Sequence, residues 1–176
     1  MYRVDDRDRV VPLRHVPQCS VGAPIPVVLA DGHRTVLAYH LQEIPPGWDG
    51  STARRVGPAD GDEPIVIVTF ERCTAHMFGP PNDEAFDGHP LAARGLTPYA
   101  AFEVVDSSWI RTLERMNSVH PNHSAAAFFL ERRHIVFAFH DSTFECVCKD
   151  FAFQHAQGSM RSALPLMVDL LTKVTR

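Results

Sequence analysis

Residues 134–148 read HIVFAFHDSTFECVC, and apolar side chains recur at every second position of this stretch. Alternate residues of a β-strand point to opposite faces. One face therefore collects the apolar side chains on both sides of a turn at 141–143, namely Ile135, Phe137, Phe139, Phe144, Cys146 and Cys148. This pattern predicts a β-hairpin that places one apolar face in a core.

A second hairpin is predicted nearer the start of the chain. Residues 25–30 and 33–43 have strand character, and Asp31-Gly32 between them is a strong hairpin signal. Residues 64–72 form the next strand, and Ile65-Val66-Ile67-Val68 is apolar without interruption. An uninterrupted apolar run is typical of a strand buried on both faces, which indicates a central position in its sheet.

Two segments are rich in proline and glycine and are predicted to be loops. Residues 44–63 form a surface loop. In residues 79–98, four prolines over 80–98 prevent a long helix or a central strand. Phe86, Leu91 and Leu96 are interleaved in the second loop, so we expect it to be packed against the protein.

The helices come later in the chain. Residues 99–105 are a further strand, after which Asp106-Ser107-Ser108 supplies an N-cap for a helix that ends near His120. Residues 125–132 and 159–174 also have helical spacing.

The predicted fold is α+β, with a mainly antiparallel sheet of about five or six strands and two or three helices packed on one face. A partly closed β-barrel with helices is the alternative. We expect an irregular N-terminal arm over residues 1–24 and a single domain over residues 25–176, because 176 residues suit one core.

Composition narrows the choice of partners. The net charge of −4 and the lack of a Lys/Arg run argue against nucleic acid. No stretch approaches the ~20 apolar residues of a membrane span, and the first ten residues lack the apolar core of a signal peptide. The sequence therefore predicts no membrane partner and a cytoplasmic location, and it leaves a homo-oligomer open.

The sequence lacks the motifs of several well-known nucleotide-binding and catalytic sites. The patterns GxxxxGK[ST], GxGxxG, HExxH and GxSxG are absent, which argues against a P-loop, a dinucleotide fingerprint, a zincin and a nucleophile elbow. The four cysteines form no CxxC pair and are expected to be buried thiols.

Ten histidines remain to be explained, and some lie close to carboxylates. If residues 141–144 connect the second hairpin, His140 and Glu145 face each other with Cβ atoms about 5 Å apart. They would then form a structural ion pair, an acid/base pair or two ligands of a metal, and Asp141 is a further candidate residue of the same site.

The long loop supplies the other candidates. His89 precedes Pro90 and is held extended, and Glu84 lies nearby, so either could complete a divalent metal site with the hairpin. The predicted ligands are His89, His140 and Glu145. Arg94 and Asn82 are candidates for binding a ligand, although Arg94 could pair with Asp87 instead.

Two functional hypotheses follow from these residues. The first is a small enzyme or small-molecule-binding domain, whose His/carboxylate site lies between loop 79–94 and hairpin 134–154 and takes a small polar ligand. A divalent metal ion is the cofactor considered for it. The second is a non-catalytic interaction module that uses loop 79–98 as its recognition surface.

Overall fold

The structure is a computed structural model that describes residues 2–43 and 56–173. The strands are β1 (Arg9–Pro12), β2 (Val27–Ala30), β3 (Arg34–His40), β4 (Glu63–Glu71), β5 (Ala75–Gly79), β6 (Ala101–Val105), β7 (Arg133–Ala138), β8 (Thr143–Cys148) and β9 (Asp150–Gly158). The helices are α1 (Ser108–Asn117), α2 (Ala125–Leu130) and α3 (Met160–Thr172), with single 3-10 turns at Phe86–Gly88 and Ala92–Arg94.

The strands form two antiparallel sheets, which confirms the α+β class with an antiparallel architecture. One sheet has the order β1-β6-β7-β8-β5 and the other the order β2-β3-β4-β9. Within the described residues both sheets are open, so the barrel considered as an alternative is not formed. The nine strands exceed the expected five or six, because the short edge strands β1 and β5 carry exposed or half-buried side chains that give no apolar pattern.

The main core lies between the two sheets. Its buried side chains come from β3 and β4 on one side and from β7 and β8 on the other: Leu37, Tyr39, Val66, Val68, Phe70, Ile135, Phe137, Phe144, Cys146 and Cys148. The alternation seen in residues 134–148 is thus the inner face of hairpin β7–β8. Strand β4 lies between β3 and β9, as the apolar run in its sequence predicted.

Helices cover the outer faces of both sheets, whereas the sequence predicted helices on one face. Helix α3 packs on β3 and β4, where Met160 and Met167 meet Val36, Ala38 and Ile65. Helices α1 and α2 cover β6 to β8 through Trp109, Ile110 and Phe128. Each sheet has two apolar faces, and only one of them lies against the core between the sheets. The other face is therefore covered by helices.

The helix starts agree with their sequence signals. The Ser107 side chain accepts a hydrogen bond from the Ile110 backbone N–H at 3.3 Å and caps α1. Ser159 and Ser162 form a reciprocal capping box at the start of α3. Of the helices that the structure describes, none combines the length and the apolarity needed to cross a bilayer.

Both hairpins form, but their turns differ in detail from the prediction. Ala30 pairs with Thr35, and the Asp31 carboxylate accepts from the N–H groups of His33 and Arg34, both at 2.7 Å. This Asx-type turn replaces the expected two-residue Asp-Gly turn. In the second hairpin Ala138 pairs with Thr143, and the Phe139 N–H donates to the Ser142 carbonyl at 2.8 Å.

The segment before residue 25, predicted to be irregular, supplies edge strand β1 and the buried side chain of Tyr2. Most of the first predicted loop, residues 44–55, lies outside the described residues. The second loop is packed as expected, since Phe86, Leu91 and Leu96 are at most 4% exposed.

We expect Phe70→Ala to lower the free energy of unfolding by about 3–5 kcal/mol, as for other large aromatic side chains in cores. Phe70 is fully buried between the sheets, with its ring centroid 5.9 Å from that of Phe137 and 5.3 Å from that of Phe144. Urea unfolding measures the change. Phe129→Ala is the matched control, because Phe129 is 43% exposed and its loss should cost less than about 1 kcal/mol. Equal effects of the two substitutions would contradict the sandwich core.

Candidate functional site

Loop 79–98 lies against hairpin β7–β8, where the sequence placed the candidate site. The Asp83 N–H donates to the His140 carbonyl at 2.9 Å, and the Thr143 hydroxyl donates to the Pro81 carbonyl at 3.0 Å. Through these two bonds the start of the loop is fixed to the turn of the hairpin. The arrangement brings polar side chains together in two separate groups, one buried and one at the surface.

The buried group surrounds the carboxylate of Glu145 on the outer face of the five-stranded sheet. His89 Nε2 is 3.2 Å from Oε1 of Glu145, and His134 Nε2 is 2.8 Å from Oε2. The Tyr2 hydroxyl donates to the same Oε2 at 2.6 Å. We call these four residues the Glu145 network, and all four are buried.

In each histidine the Nδ1 atom has a hydrogen-bond partner of its own, and Nε2 is the nitrogen that faces Glu145. His89 Nδ1 accepts the backbone N–H of Leu91 at 3.1 Å, so the ring proton of His89 lies on Nε2 and is donated to Glu145. His134 Nδ1 is 2.9 Å from the Ser107 hydroxyl, which already accepts the Ile110 N–H and has its own proton to donate. A metal ligand needs a free lone pair on the coordinating nitrogen, and in this arrangement Nε2 of His89 has none.

The hydrogen bonds decide the charge of Glu145. Burial by itself would raise its pKa, but the bonds from His134, His89 and Tyr2 outweigh burial and lower it from 4.5 to about 2. Burial and the neighbouring carboxylate raise the pKa of Tyr2, so that its hydroxyl stays a donor. The network is therefore a buried carboxylate held by three donors, which is a stable structural arrangement.

The second group lies at the surface and consists of Asp83, Tyr99, His140 and Asp141. We call it the Tyr99 cluster. The Tyr99 hydroxyl donates a short hydrogen bond to the Asp83 carboxylate. His140 Nδ1 lies 2.8 Å from Asp141 Oδ1, and His140 Nε2 lies 3.9 Å from Asp83 Oδ2. The His140 side chain is 40% exposed, so this cluster is open to solvent.

Electrostatics in the Tyr99 cluster favour a protonated imidazole between carboxylates. The hydrogen bond to Asp141 raises the pKa of His140, and the charges of Asp141 and Asp83 add to this effect. The hydrogen bond from Tyr99 lowers the pKa of Asp83 and raises that of Tyr99 to about 12. The cluster therefore presents an imidazole whose pKa is raised and a phenol that stays protonated at neutral pH.

Tyr99 also lines a cavity of about 350 Å³ at the end of the sandwich. Its φ of 62° lies in the left-handed region, which a bulky residue adopts only when its surroundings hold it there. Aromatic side chains of both sheets form the cavity walls with Tyr99, namely Tyr39, Phe137 and Phe139, and Arg14 lies at the lining as well. Tyr99 is the member of the cluster that lines the cavity, whereas Asp83, His140 and Asp141 lie outside its lining.

The structure divides the residues predicted from sequence between these two groups. His89 and Glu145 meet, as expected. His140 does not face Glu145, because the cross-strand partner of Glu145 is Val136 and His140 lies in the turn itself. The expected opposition of His140 and Glu145 is wrong because the turn begins two residues earlier than assumed.

The other candidates have local partners. Arg94 pairs with Asp6 at 2.8 Å and not with Asp87. The Asn82 side chain accepts the Ala85 N–H at 3.1 Å and so caps its own turn. Glu84 is exposed beside the Tyr99 cluster and contributes to the raised pKa of His140.

The predicted metal ligands His89, His140 and Glu145 are not assembled into one site. Over residues 2–43 and 56–173, no group of three or more His, Cys, Asp or Glu side chains is arranged to hold a metal ion. His140 belongs to the Tyr99 cluster, while His89 and Glu145 belong to the buried network.

Sequence reasoning missed Tyr2, His134 and Tyr99 as members of these groups. His134 could have been found, because the strand alternation places it on the same face as Glu145 once the hairpin register is known. Tyr2 and Tyr99 carry no such signal, since their positions depend on tertiary packing.

Comparisons with models of known protein families, with curated proteins and with solved structures found no match for the chain.

We expect Glu145→Gln to destabilise the protein at pH 7 by on the order of 3 kcal/mol, the value of a carboxylate whose pKa falls from 4.5 to about 2 on folding. Because the folded pKa is the lower one, this stability is present above pH 4.5 and is lost as the pH falls toward 2. Urea unfolding at pH 7 and pH 3 should show a smaller difference between wild type and variant at pH 3.

Glu43→Gln serves as the matched control, because Glu43 is exposed and its loss should change stability little at either pH. A Glu145→Gln variant as stable as wild type at pH 7 would contradict a charged, triply bonded Glu145.

Proposed function

We propose that this chain is a small-molecule-binding domain whose ligand lies in the cavity beside the Tyr99 cluster. The observation that carries the proposal is the position of Tyr99. Its backbone has an unfavourable φ of 62°, its hydroxyl is bonded to Asp83, and its side chain lines a cavity of about 350 Å³. Strained residues of this kind concentrate at functional sites, and the volume lies within the range of small-ligand pockets.

The cavity walls indicate the class of ligand. The partly exposed ring of Tyr99 lines the cavity together with the apolar side chains of Leu13 and Val16, which suits a flat organic molecule. Polar recognition comes from Arg14 at the lining and from the Tyr99 oxygen, which accepts a hydrogen bond because its own proton is donated to Asp83. A small aromatic molecule that carries one carboxylate matches both features, and it falls within the small polar ligands expected from the sequence.

The same groups would support catalysis by proton transfer. A protonated imidazole next to a carboxylate is a common general acid, and His140 lies 2.8 Å from Asp141 with its side chain 40% exposed. His140, whose ring centre lies 6.2 Å from that of Tyr99 but outside the cavity lining, would then give a proton to a ligand group that extends past Tyr99, and Asp83 would hold the Tyr99 hydroxyl in position.

Recognition of another protein is the second candidate function. Phe78 is 45% exposed, although large apolar side chains are usually covered, and it lies on β5 next to loop 79–98. Strand β5 is an edge of its sheet, and an exposed edge can pair with a strand of a partner. Phe78→Ser should abolish such binding and leave the cavity unaffected.

A cytoplasmic location is part of the proposal. Cys19, Cys73, Cys146 and Cys148 are all free and buried, and structural thiols persist in this state in reducing compartments.

The test is titration of methyl-labelled protein with benzoate, 4-hydroxybenzoate and phenylacetate, followed by NMR. We expect at least one of these ligands to shift the methyl signals of Leu13 and Val16, which line the cavity. Arg14→Gln should weaken binding about tenfold, as expected for the loss of one hydrogen bond to a charged group. Tyr99→Phe should weaken binding of 4-hydroxybenzoate, whose hydroxyl can donate to the Tyr99 oxygen.

Arg72→Gln is the control, because Arg72 is an exposed arginine paired with Glu131 outside the cavity. Its affinity should equal that of wild type. Binding that is insensitive to both Arg14→Gln and Tyr99→Phe would contradict the proposed site.

A further inference from the structure

The Glu145 network continues through His134 to a serine hydroxyl that the proposed function does not use. The Ser107 hydroxyl oxygen is 2.9 Å from Nδ1 of His134, and Nε2 of His134 is 2.8 Å from Oε2 of Glu145. The three side chains thus form a series of hydroxyl, imidazole and carboxylate. A hydroxyl bonded to an imidazole that a carboxylate orients is the arrangement that activates a serine as a nucleophile.

The hydrogen bonds place the protons where this chemistry needs them. Glu145 is charged, because the bonds from His134, His89 and Tyr2 outweigh burial and hold its pKa at about 2. A carboxylate only accepts hydrogen bonds, so in the neutral imidazole of His134 the ring proton lies on Nε2. Nδ1 then has a free lone pair and accepts the proton of the Ser107 hydroxyl. Serine proteases use the two ring nitrogens in the reverse order, but the parts played by the three groups are the same.

Ser107 lies at the border between the buried network and a second cavity, of about 410 Å³. Within the series, Ser107 is the residue that lines this cavity, whereas His134 and Glu145 lie behind it in the interior. The lining shares no residue with that of the cavity beside Tyr99. The two cavities are thus separate, and a molecule in the second one would lie next to Ser107.

The first turn of α1 supplies a donor for negative charge beside Ser107. The first N–H groups of a helix have no acceptor within the helix. Asp8 accepts the Ser108 N–H at 2.6 Å, and the Ser107 hydroxyl accepts the Ile110 N–H at 3.3 Å. The Trp109 N–H lies between them in the same turn, and the described residues offer it no hydrogen-bond acceptor. It is therefore the donor available to an oxyanion formed at Ser107.

The lining of the second cavity favours an uncharged, apolar group. Phe129 lines it and is 43% exposed, so its ring is free to contact a ligand. Charged side chains at the lining are held by partners within the protein. Arg133 is paired with Glu103 at 2.8 Å, and Arg111 with Asp5 at 2.7 Å.

We propose that Ser107 is a nucleophile activated by His134, and that the second cavity takes a small ester with an apolar acyl group. The Ser107 oxygen bonds to the carbonyl carbon of the ester while its proton passes to Nδ1 of His134. The ester C–O bond then breaks, and the alcohol leaves with this proton. Water hydrolyses the acyl-serine with His134 again as the base, which releases the acid and restores the Ser107 hydroxyl. Glu145 is a positioning residue that holds the imidazole.

The first test treats the whole chain with an alkyl fluorophosphonate, which bonds to an activated serine and releases fluoride. We expect mass spectrometry to find one phosphonyl group per chain and peptide mapping to place it on Ser107. Protein unfolded in urea should not react, because the serine is then separated from the imidazole. A folded protein in which Ser107 is not modified, whether or not other residues are, would overturn the proposal.

His134→Gln should slow the modification of Ser107 about a hundredfold or more, as expected for the loss of a general base. Ser124→Ala is the matched control, because Ser124 also caps a helix through its hydroxyl but is exposed and lies outside the series. Its Ser107 should react at the wild-type rate. Circular dichroism checks the folding of both variants, and the wild-type reaction decides the proposal even if His134→Gln does not fold. Equal rates for folded His134→Gln and wild type would overturn His134 as the base.

Hydrolysis of 4-nitrophenyl butyrate, followed by the release of 4-nitrophenolate, tests the substrate class. We expect wild type and Ser124→Ala to hydrolyse this ester equally fast. Ser107→Asn should abolish the activity, since asparagine keeps a good N-cap for α1 but has no hydroxyl. The same rate for wild type and folded Ser107→Asn would overturn the ester as substrate. Binding of benzoates beside Tyr99 is measured separately, so either proposal can fail without the other.

Discussion

The buried carboxylate of Glu145 determines how the separate segments of this chain meet. A charged group inside a protein is tolerated only when donors surround it. Its three donors come from distant parts of the chain: Tyr2 from the N-terminal segment, His89 from the long loop and His134 from the neighbouring strand. One electrostatic requirement therefore fixes the N-terminal segment and the loop against the same face of the sheet.

This anchoring positions the Tyr99 cluster. His89 holds the middle of loop 79–98 at the Glu145 network, and the bond from the Asp83 N–H to the His140 carbonyl holds its beginning at the hairpin turn. The loop then leads to Tyr99, whose strained backbone precedes β6. The Glu145 network holds the loop in place and has a structural role. The Tyr99 cluster presents polar groups at the surface and belongs to the proposed ligand site.

The sequence predicted those parts of the fold that depend on local periodicity. The alternation in residues 134–148 and the apolar run Ile65–Val68 correctly located the hairpin and the central strand, because burial on a sheet face imposes the side-chain pattern directly. The edge strands β1 and β5 were missed for the opposite reason: they are short, and their partners are set by tertiary contacts. The predicted site was wrong in its hairpin register, since the turn lies two positions earlier than assumed and so separates His140 from Glu145.

A crystal structure with 4-hydroxybenzoate soaked into the protein tests the central claim most directly. We expect electron density for the aromatic ring in the cavity beside Tyr99, with a polar substituent within hydrogen-bond distance of Tyr99 or Arg14. Density for the ligand only outside this cavity, with Tyr99 and its surroundings unchanged, would contradict the assignment of the Tyr99 cluster as a ligand site.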